Sequence, residues 1–192
     1  MAKVDKIIPF IIKWEAGVID KSLTNEQLFE KARKTGWADD KDDLGGQTMV
    51  GVTIGTYASY CYRKGYPAPT ADRLKNISFQ HWKDVLKTLF WDKWRADEID
   101  NQSVASILFD FVWASGGYGI KLPQKILGVK QDGIVGPITI EAVNARDPKE
   151  LFGTIKAERI AFIDRICLSR PANLKFKKGW LARINDLKYE AI

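Results

Sequence analysis

Apolar residues recur at helical spacing along almost the whole chain, and this periodicity restricts the fold to one built mainly of packed α-helices. The pattern begins with Val4, Ile7, Ile8, Ile11 and Ile12 and returns at Trp82, Val85, Leu86, Leu89, Phe90 and Trp94. A more thoroughly apolar run, Val104, Ile107, Leu108, Phe111 and Val112, reads as a core helix ended by Gly116-Gly117. A long helix carries Leu151, Ile155, Ile160, Phe162, Ile163 and Ile166, and the last holds Phe176, Trp180, Ile184 and Leu187. With 45% apolar residues and seven tryptophans in 192 positions, there is enough apolar surface to bury a substantial core.

The helix boundaries are marked by capping chemistry. Pro9 means that the first helix either begins late or loses a bond near its start. Thr24 and Gln27 have capping-box spacing, as do Asp147 and Glu150, and Ser78 precedes the strong amphipathic stretch through Trp94. Gly36 and Gly65 are candidate helix stops. Between the second and third helical stretches lies a turn-rich acidic segment, residues 39–46, followed by a Thr48 to Thr53 run that suits a short strand or hairpin arm. Beyond Gly117 the texture changes to shorter units: a helical turn or two at Leu122 to Leu127, an Asp132-Gly133 turn, and a helix opened by Gly136-Pro137. A soft boundary near residues 118–121 divides the chain into segments 1–118 and 119–192.

Several function classes are disfavoured by composition. The net charge of +6 suits a polyanionic partner, but nucleic acid, anionic lipid and bacterial wall all qualify. The basic residues are scattered and no recognition-helix motif is present, which counts against a nucleic-acid binder. Cys61 and Cys167 fit no metal-ligand spacing and read as two buried thiols. No P-loop, dinucleotide glycine pattern or zinc motif occurs. No apolar run is long enough to span a membrane, and the N-terminal Ile7 to Ile12 run is too short for a secretory signal. The expectation is cytoplasmic synthesis without a signal peptide, so that action on a wall would require release by something else.

Two carboxylates stand out. Glu15 continues the apolar face of Ile7 and Ile11 at the end of the first helix. Partial burial and the negative end of the helix dipole both disfavour the anion there, which suits an acid that must keep a proton to give to a glycosidic oxygen. A helix-terminal Glu capped by amides or paired with a lysine would occupy the same position. Asp43 precedes Leu44-Gly45-Gly46-Gln47-Thr48; the paired glycines permit close approach of backbone to a ligand, and Thr48 could hold a water. A solvated acidic loop is the plain alternative, and the aspartates do not follow calcium-loop spacing. His81, the only histidine, reads as a surface residue. Trp82, Trp91 and Trp94 read as partly core, whereas Trp14 and Trp113 are candidates for a cleft wall.

Trp14-Glu15-Ala16-Gly17, Asp43-Leu44-Gly45-Gly46-Gln47-Thr48 and Gly51-Val52-Thr53-Ile54 together resemble the N-terminal signature of glycoside hydrolase family 108. Phe90-Trp91-Asp92-Lys93-Trp94, then Phe109-Asp110-Phe111-Val112 and Ser115-Gly116, are similar to later segments of that family. Residues 131–137 and 179–183 resemble the associated peptidoglycan-binding-like C-terminal region. The resemblance implies a mainly α, lysozyme-like helical domain with a short β-hairpin, packed against a small C-terminal helical module. It implies an N-acetylmuramidase that cleaves the bond between N-acetylmuramic acid and N-acetylglucosamine, a peptidoglycan hydrolase of the phage, prophage or secretion-activator kind. On that pattern Glu15, Asp43 and Thr48 are catalytic, and Trp14, Gly45, Gly46 and Trp113 contact substrate. Three departures stand out: Ala16 replaces a glycine, Trp113 stands where the family has Asn, and the Glu15 to Asp43 gap is long, which makes Asp42 a substitute for Asp43. The expected partner is the glycan strand of peptidoglycan, bound by a monomer without metal, cofactor, nucleic acid or stable membrane insertion. A non-catalytic peptidoglycan-binding protein is the alternative.

Overall fold

A computed structural model gives the structure of the protein and describes residues 1–39 and 46–191. The chain forms two compact units, one of Val4–Phe90 and one of Met1–Lys3 with Trp91–Ile192. Both are helix-rich.

The first unit opens with a 3-10 turn, Val4–Lys6, and then α1 (Ile8–Ala16), with Pro9 in its first turn, where a missing N–H costs nothing. Ile8, Ile11 and Ile12 are fully buried, so the apolar spacing read from the sequence is the core face of α1. Helix α2 (Asn25–Arg33) carries the capping box: Gln27 N donates to Thr24 Oγ1 at 3.2 Å and Thr24 N donates to Gln27 Oε1 at 2.9 Å. The sheet is a three-stranded antiparallel meander, β1 (Trp37–Ala38), β2 (Thr48–Met49) and β3 (Val52–Thr53), one strand more than a hairpin. Met49 pairs with Val52, and both are buried; Thr48 pairs with Thr53 on the opposite, half-buried face. Thr53 then caps α3 (Ile54–Lys64), which Gly65 ends in a left-handed conformation. Helices α4 (Ala71–Lys75) and α5 (Phe79–Leu86) are capped by Thr70 and Ser78.

The apolar spacing predicts one helix from Ser78 to Trp94, and here the structure departs from it. Helix α5 stops at Leu86, the chain widens into a π-helical turn at Lys87–Trp91, and it tightens into a 3-10 turn at Asp92–Trp94. In an unbroken α-helix Trp91 would point half a turn away from Trp82. The change of winding accompanies burial of all three indoles, each with a partner for its N–H. Trp82 Nε1 donates to Val50 O at 3.0 Å, Trp91 Nε1 to Asp97 Oδ1 at 2.7 Å, and Trp94 Nε1 to Gly119 O at 3.1 Å. His81 also departs from expectation. It is half-buried, its ring centroid 5.8–6.4 Å from those of Tyr57, Tyr60 and Tyr66, because those tyrosines offer its apolar ring edges a packed environment.

The second unit is built on α6 (Gln102–Ser115), buried from Ser103 to Val112. Helix α7 (Tyr118–Leu127) starts earlier than its short apolar signal suggests and packs so closely on α6 that a Cβ on Gly119 would strike the backbone at Phe111 and Val112. Helices α8 (Pro137–Asn144), α9 (Pro148–Ser169) and α10 (Leu174–Asp186) complete it. The Asp132-Gly133 turn is held by the buried Gln124, which donates to Asp132 Oδ1 and Ile134 O and accepts from Gly133 N. Cys61 and Cys167 are both buried free thiols. Among the described residues, no helix is long and apolar enough to cross a membrane.

A buried ion cluster joins three of these helices. Asp110 on α6 is wholly inaccessible; Arg159 on α9 donates to it at 2.7 Å, and Arg183 on α10 donates twice, at 3.0 and 2.8 Å. Burial alone would push the Asp110 carboxyl up, but Arg159 and Arg183 outweigh it and hold the group below the ordinary carboxylate range. Burial pushes the Arg159 guanidinium down and Asp110 draws it back; arginine starts so high that it stays charged at neutral pH. Because the folded Asp110 ionises more readily than the unfolded one, its contribution is complete above about pH 4 and is lost as pH falls below that. Asp110→Ala, which strands two guanidinium groups beside an empty site, should lose about 3–5 kcal/mol in urea unfolding at pH 7. The deficit against wild type should shrink below about pH 4.

Candidate active site

Glu15 lies in the last turn of α1, which Gly17 ends with φ 67° and a bond from its N–H to Lys13 O at 2.9 Å. This stop fixes the position of the side chain just before it. Glu15 is half-buried, and its carboxyl rests against the backbone of Gly51. A Cβ on Gly51 would lie 2.6 Å from Glu15 Cδ and 2.7 Å from both Cγ and Oε2, so a side chain there would displace the acid from its position.

The ground under Glu15 is a strained turn. Val50 and Gly51 connect β2 to β3, and both have positive φ, 44° and 76°. This is the backbone sign pattern of a tight two-residue hairpin, and a β-branched residue in its first position is an outlier. Val50 is held there from both sides: its N–H donates to Gly36 O at 2.9 Å, and its carbonyl accepts from the buried Trp82 indole. Its side chain is fully buried against Gly36, where a Cβ would come within 2.7 Å of Val50 Cγ2. Gly36, Val50 and Trp82 therefore hold Gly51, and Gly51 makes the space that Glu15 occupies.

The other residues singled out by the sequence fall into three groups. Thr48 sits on β2 of the same hairpin, half-buried, its hydroxyl donating to Gly46 O at 3.1 Å; Gly46 itself has φ 59°. Trp14 precedes Glu15 on α1, half-buried, with Lys13 Nζ 5.7 Å from the centre of its ring and Phe10 at 6.4 Å between centroids. Asp42, Asp43 and Gly45 lie outside the described residues. Trp113 belongs to the second compact unit, half-buried and stacked on Phe109 at 6.2 Å. The structure thus brings Glu15 together with the hairpin that carries Thr48. Gly51 was visible in the sequence only as part of Gly51-Val52-Thr53, and the supporting roles of Gly36, Val50 and Trp82 had no local signal. Among the described residues, no group of three or more His, Cys, Asp or Glu side chains could hold a metal ion.

Comparison with known proteins gives two adjacent family matches. Residues 30–116 match the family model for glycosyl hydrolase 108, and residues 118–185 match that for a predicted peptidoglycan domain. The solved structure of SagA from Brucella abortus is similar with a TM-score of 0.73 and 23% identity, covering 96% of this chain and 90% of that one; at that identity the likeness establishes the fold. No curated protein matches the sequence. Fold and matches define a glycoside hydrolase with a lysozyme-like, mainly α architecture, followed in sequence by a peptidoglycan domain. The glycosyl hydrolase 108 match spans residues 30–116, a little under half of the chain, and the peptidoglycan-domain match follows it. Glu15 lies upstream of that match, so its candidacy stands on the geometry above.

The close approach of Gly51 to Glu15 makes a specific prediction. Gly51→Ala combines left-handed strain with overlap of the acid and should cost more than about 2 kcal/mol in urea unfolding. Gly65→Ala, at φ 69° with open space around it, should cost about 1 kcal/mol from strain alone. Equal losses in the two variants would mean that Gly51 does not hold Glu15.

Proposed function

We propose that this glycoside hydrolase is an N-acetylmuramidase that cuts the peptidoglycan strand between N-acetylmuramic acid and N-acetylglucosamine. The observation that carries the reading is a half-buried carboxyl at the end of a helix, seated on a glycine that a strained hairpin holds in place. Adjacent glycosyl hydrolase 108 and peptidoglycan domain matches support the substrate class. Segment 1–118 is then the catalytic part, and 119–192 the peptidoglycan-binding part.

In this mechanism Glu15 donates its proton to the bridging oxygen as the bond to the anomeric carbon breaks, leaving the sugar hydroxyl of N-acetylglucosamine. Asp43 takes a proton from a water, whose oxygen forms the new bond to the anomeric carbon. Thr48 supports this role: its hydroxyl hydrogen is committed to Gly46 O, which leaves its oxygen as an acceptor that can orient a water. Attack from the side opposite the acid in one step inverts the anomeric configuration. Trp14, Gly45 and Gly46 are the proposed contacts to sugar.

Glu15→Gln should lower muropeptide release from purified sacculi by at least about a hundredfold, with unchanged thermal unfolding. Asp43→Asn should do the same, and a larger loss in Asp42→Asn would move the base to that residue. Mass spectrometry of wild-type digests should find new reducing ends on N-acetylmuramic acid. Full turnover by Glu15→Gln removes Glu15 from the chemistry. Sacculus binding by the wild type with no new chain ends would leave a non-catalytic peptidoglycan-binding protein.

A further inference from the structure

The second unit carries a surface that the hydrolase reading leaves without a role, the tip of the hairpin formed by α9 and α10. The two helices run antiparallel: Lys156 in the first half of α9 donates to Leu187 O, just past the end of α10, at 2.8 Å, and Lys177 near the start of α10 pairs with Asp164 in the second half of α9 at 2.8 Å. The 3-10 turn Pro171–Asn173 joins them, pinned by Asn173 Nδ2 donating to Ile166 O at 3.1 Å. The tip is therefore an ordered surface, with its shape set before any partner arrives.

Its chemistry is unusual in two ways at once. Residues 165–180 contain five basic side chains and no acidic one. Arg165 and Lys177 are engaged by Glu158 and Asp164, while Arg170, Lys175 and Lys178 are exposed. Three large apolar side chains stand in the water among them: Leu168 is 82% exposed, Leu174 57% and Phe176 49%. Phe176 also packs on Trp180 at 5.6 Å between centroids, and Trp180 walls a cavity of about 300 Å³ with Phe162, Ile163 and Ile166. The exposed apolar side chains thus continue into an apolar recess and are not scattered singly.

We propose that this tip is a peripheral docking surface for anionic phospholipid bilayers, with Arg170, Lys175 and Lys178 at the headgroups and Leu168, Leu174 and Phe176 at the acyl boundary. Charge complementarity selects an anionic surface, and the exposed apolar side chains select among such surfaces. A hydrated anionic polymer, such as the wall glycan or a nucleic acid, matches the lysines but gives Leu168 and Leu174 nothing to be buried in. The interfacial layer of a bilayer supplies both at the same depth, as for basic amphipathic segments in general. Such docking would hold the enzyme at the membrane face of the wall without any spanning segment.

The test is co-sedimentation of the full chain with vesicles of phosphatidylglycerol and phosphatidylcholine mixed about 1:2, and with pure phosphatidylcholine vesicles. Binding should be at least about tenfold tighter to the mixed vesicles and should weaken with added salt. Lys175→Glu with Lys178→Glu should reduce binding to mixed vesicles by about tenfold or more, and Leu174→Ser with Phe176→Ser should do likewise. Both variants should keep wild-type circular dichroism and thermal unfolding, since all four side chains are exposed. Sacculus binding by the same variants separates the alternatives. Loss on vesicles with sacculus binding kept supports the proposal; equal loss on both makes the tip a wall-binding face and overturns it. Equal binding to the two vesicle types overturns it, as does self-association of the wild type through the tip in the absence of lipid.

Discussion

The contact between the Glu15 carboxyl and the bare backbone of Gly51 is the constraint around which the first unit is arranged. A catalytic acid must be held still against the bond it protonates, and a side chain with three rotatable bonds does not hold itself. The helix stop at Gly17 fixes one side of Glu15 and the hairpin fixes the other. Val50 accepts left-handed geometry to make that hairpin tight, a cost of roughly 1–2 kcal/mol for a residue with a Cβ. Three features offset it: the bond to Gly36 O, the bond from Trp82 Nε1, and full burial of the Val50 side chain. Strain kept at a site by its surroundings is a recurring feature of functional centres, and here the strained residue directly precedes the one that touches the acid.

The second unit solves a different problem. Helices α6, α9 and α10 are joined by a wholly buried carboxylate between two guanidinium groups, a kind of arrangement that well-packed apolar side chains often replace without loss of stability. What the ion cluster adds is direction. Asp110 accepts only where Arg159 and Arg183 can both reach it, so α9 and α10 have one register against α6. That register fixes the hairpin tip proposed to meet a bilayer, as well as the recess beside it.

Much of this was legible in the sequence where the cause is local. The Thr24–Gln27 box, the caps at Ser78 and Asp147, the stop at Gly65 and the late start at Pro9 all depend on residues within a turn of one another. Glu15 itself stood out because burial could be read from its spacing with Ile11. The sequence was silent where the partner is distant. Asp110 looks like an ordinary break in an apolar helix until Arg159 and Arg183, 49 and 73 residues on, arrive beside it. The switch of winding after Leu86 could not be read from periodicity, since Trp91 and Trp94 follow the needs of their indole N–H groups, met at Asp97 and Gly119. The half-burial of His81 has the same kind of cause: the tyrosines around it come from α3 and the loop after it. Asp43 was legible only as a glycine-flanked acid, and its place in the mechanism is part of the proposal.

The most direct measurement of the central claim is a crystal structure of Glu15→Gln bound to a tetrasaccharide of alternating N-acetylglucosamine and N-acetylmuramic acid. The account predicts that the bridging oxygen after N-acetylmuramic acid lies within about 3 Å of the residue-15 side-chain amide, over the Val50-Gly51 turn. A sugar chain that leaves every bridging oxygen beyond direct or single-water reach of residue 15 would contradict it.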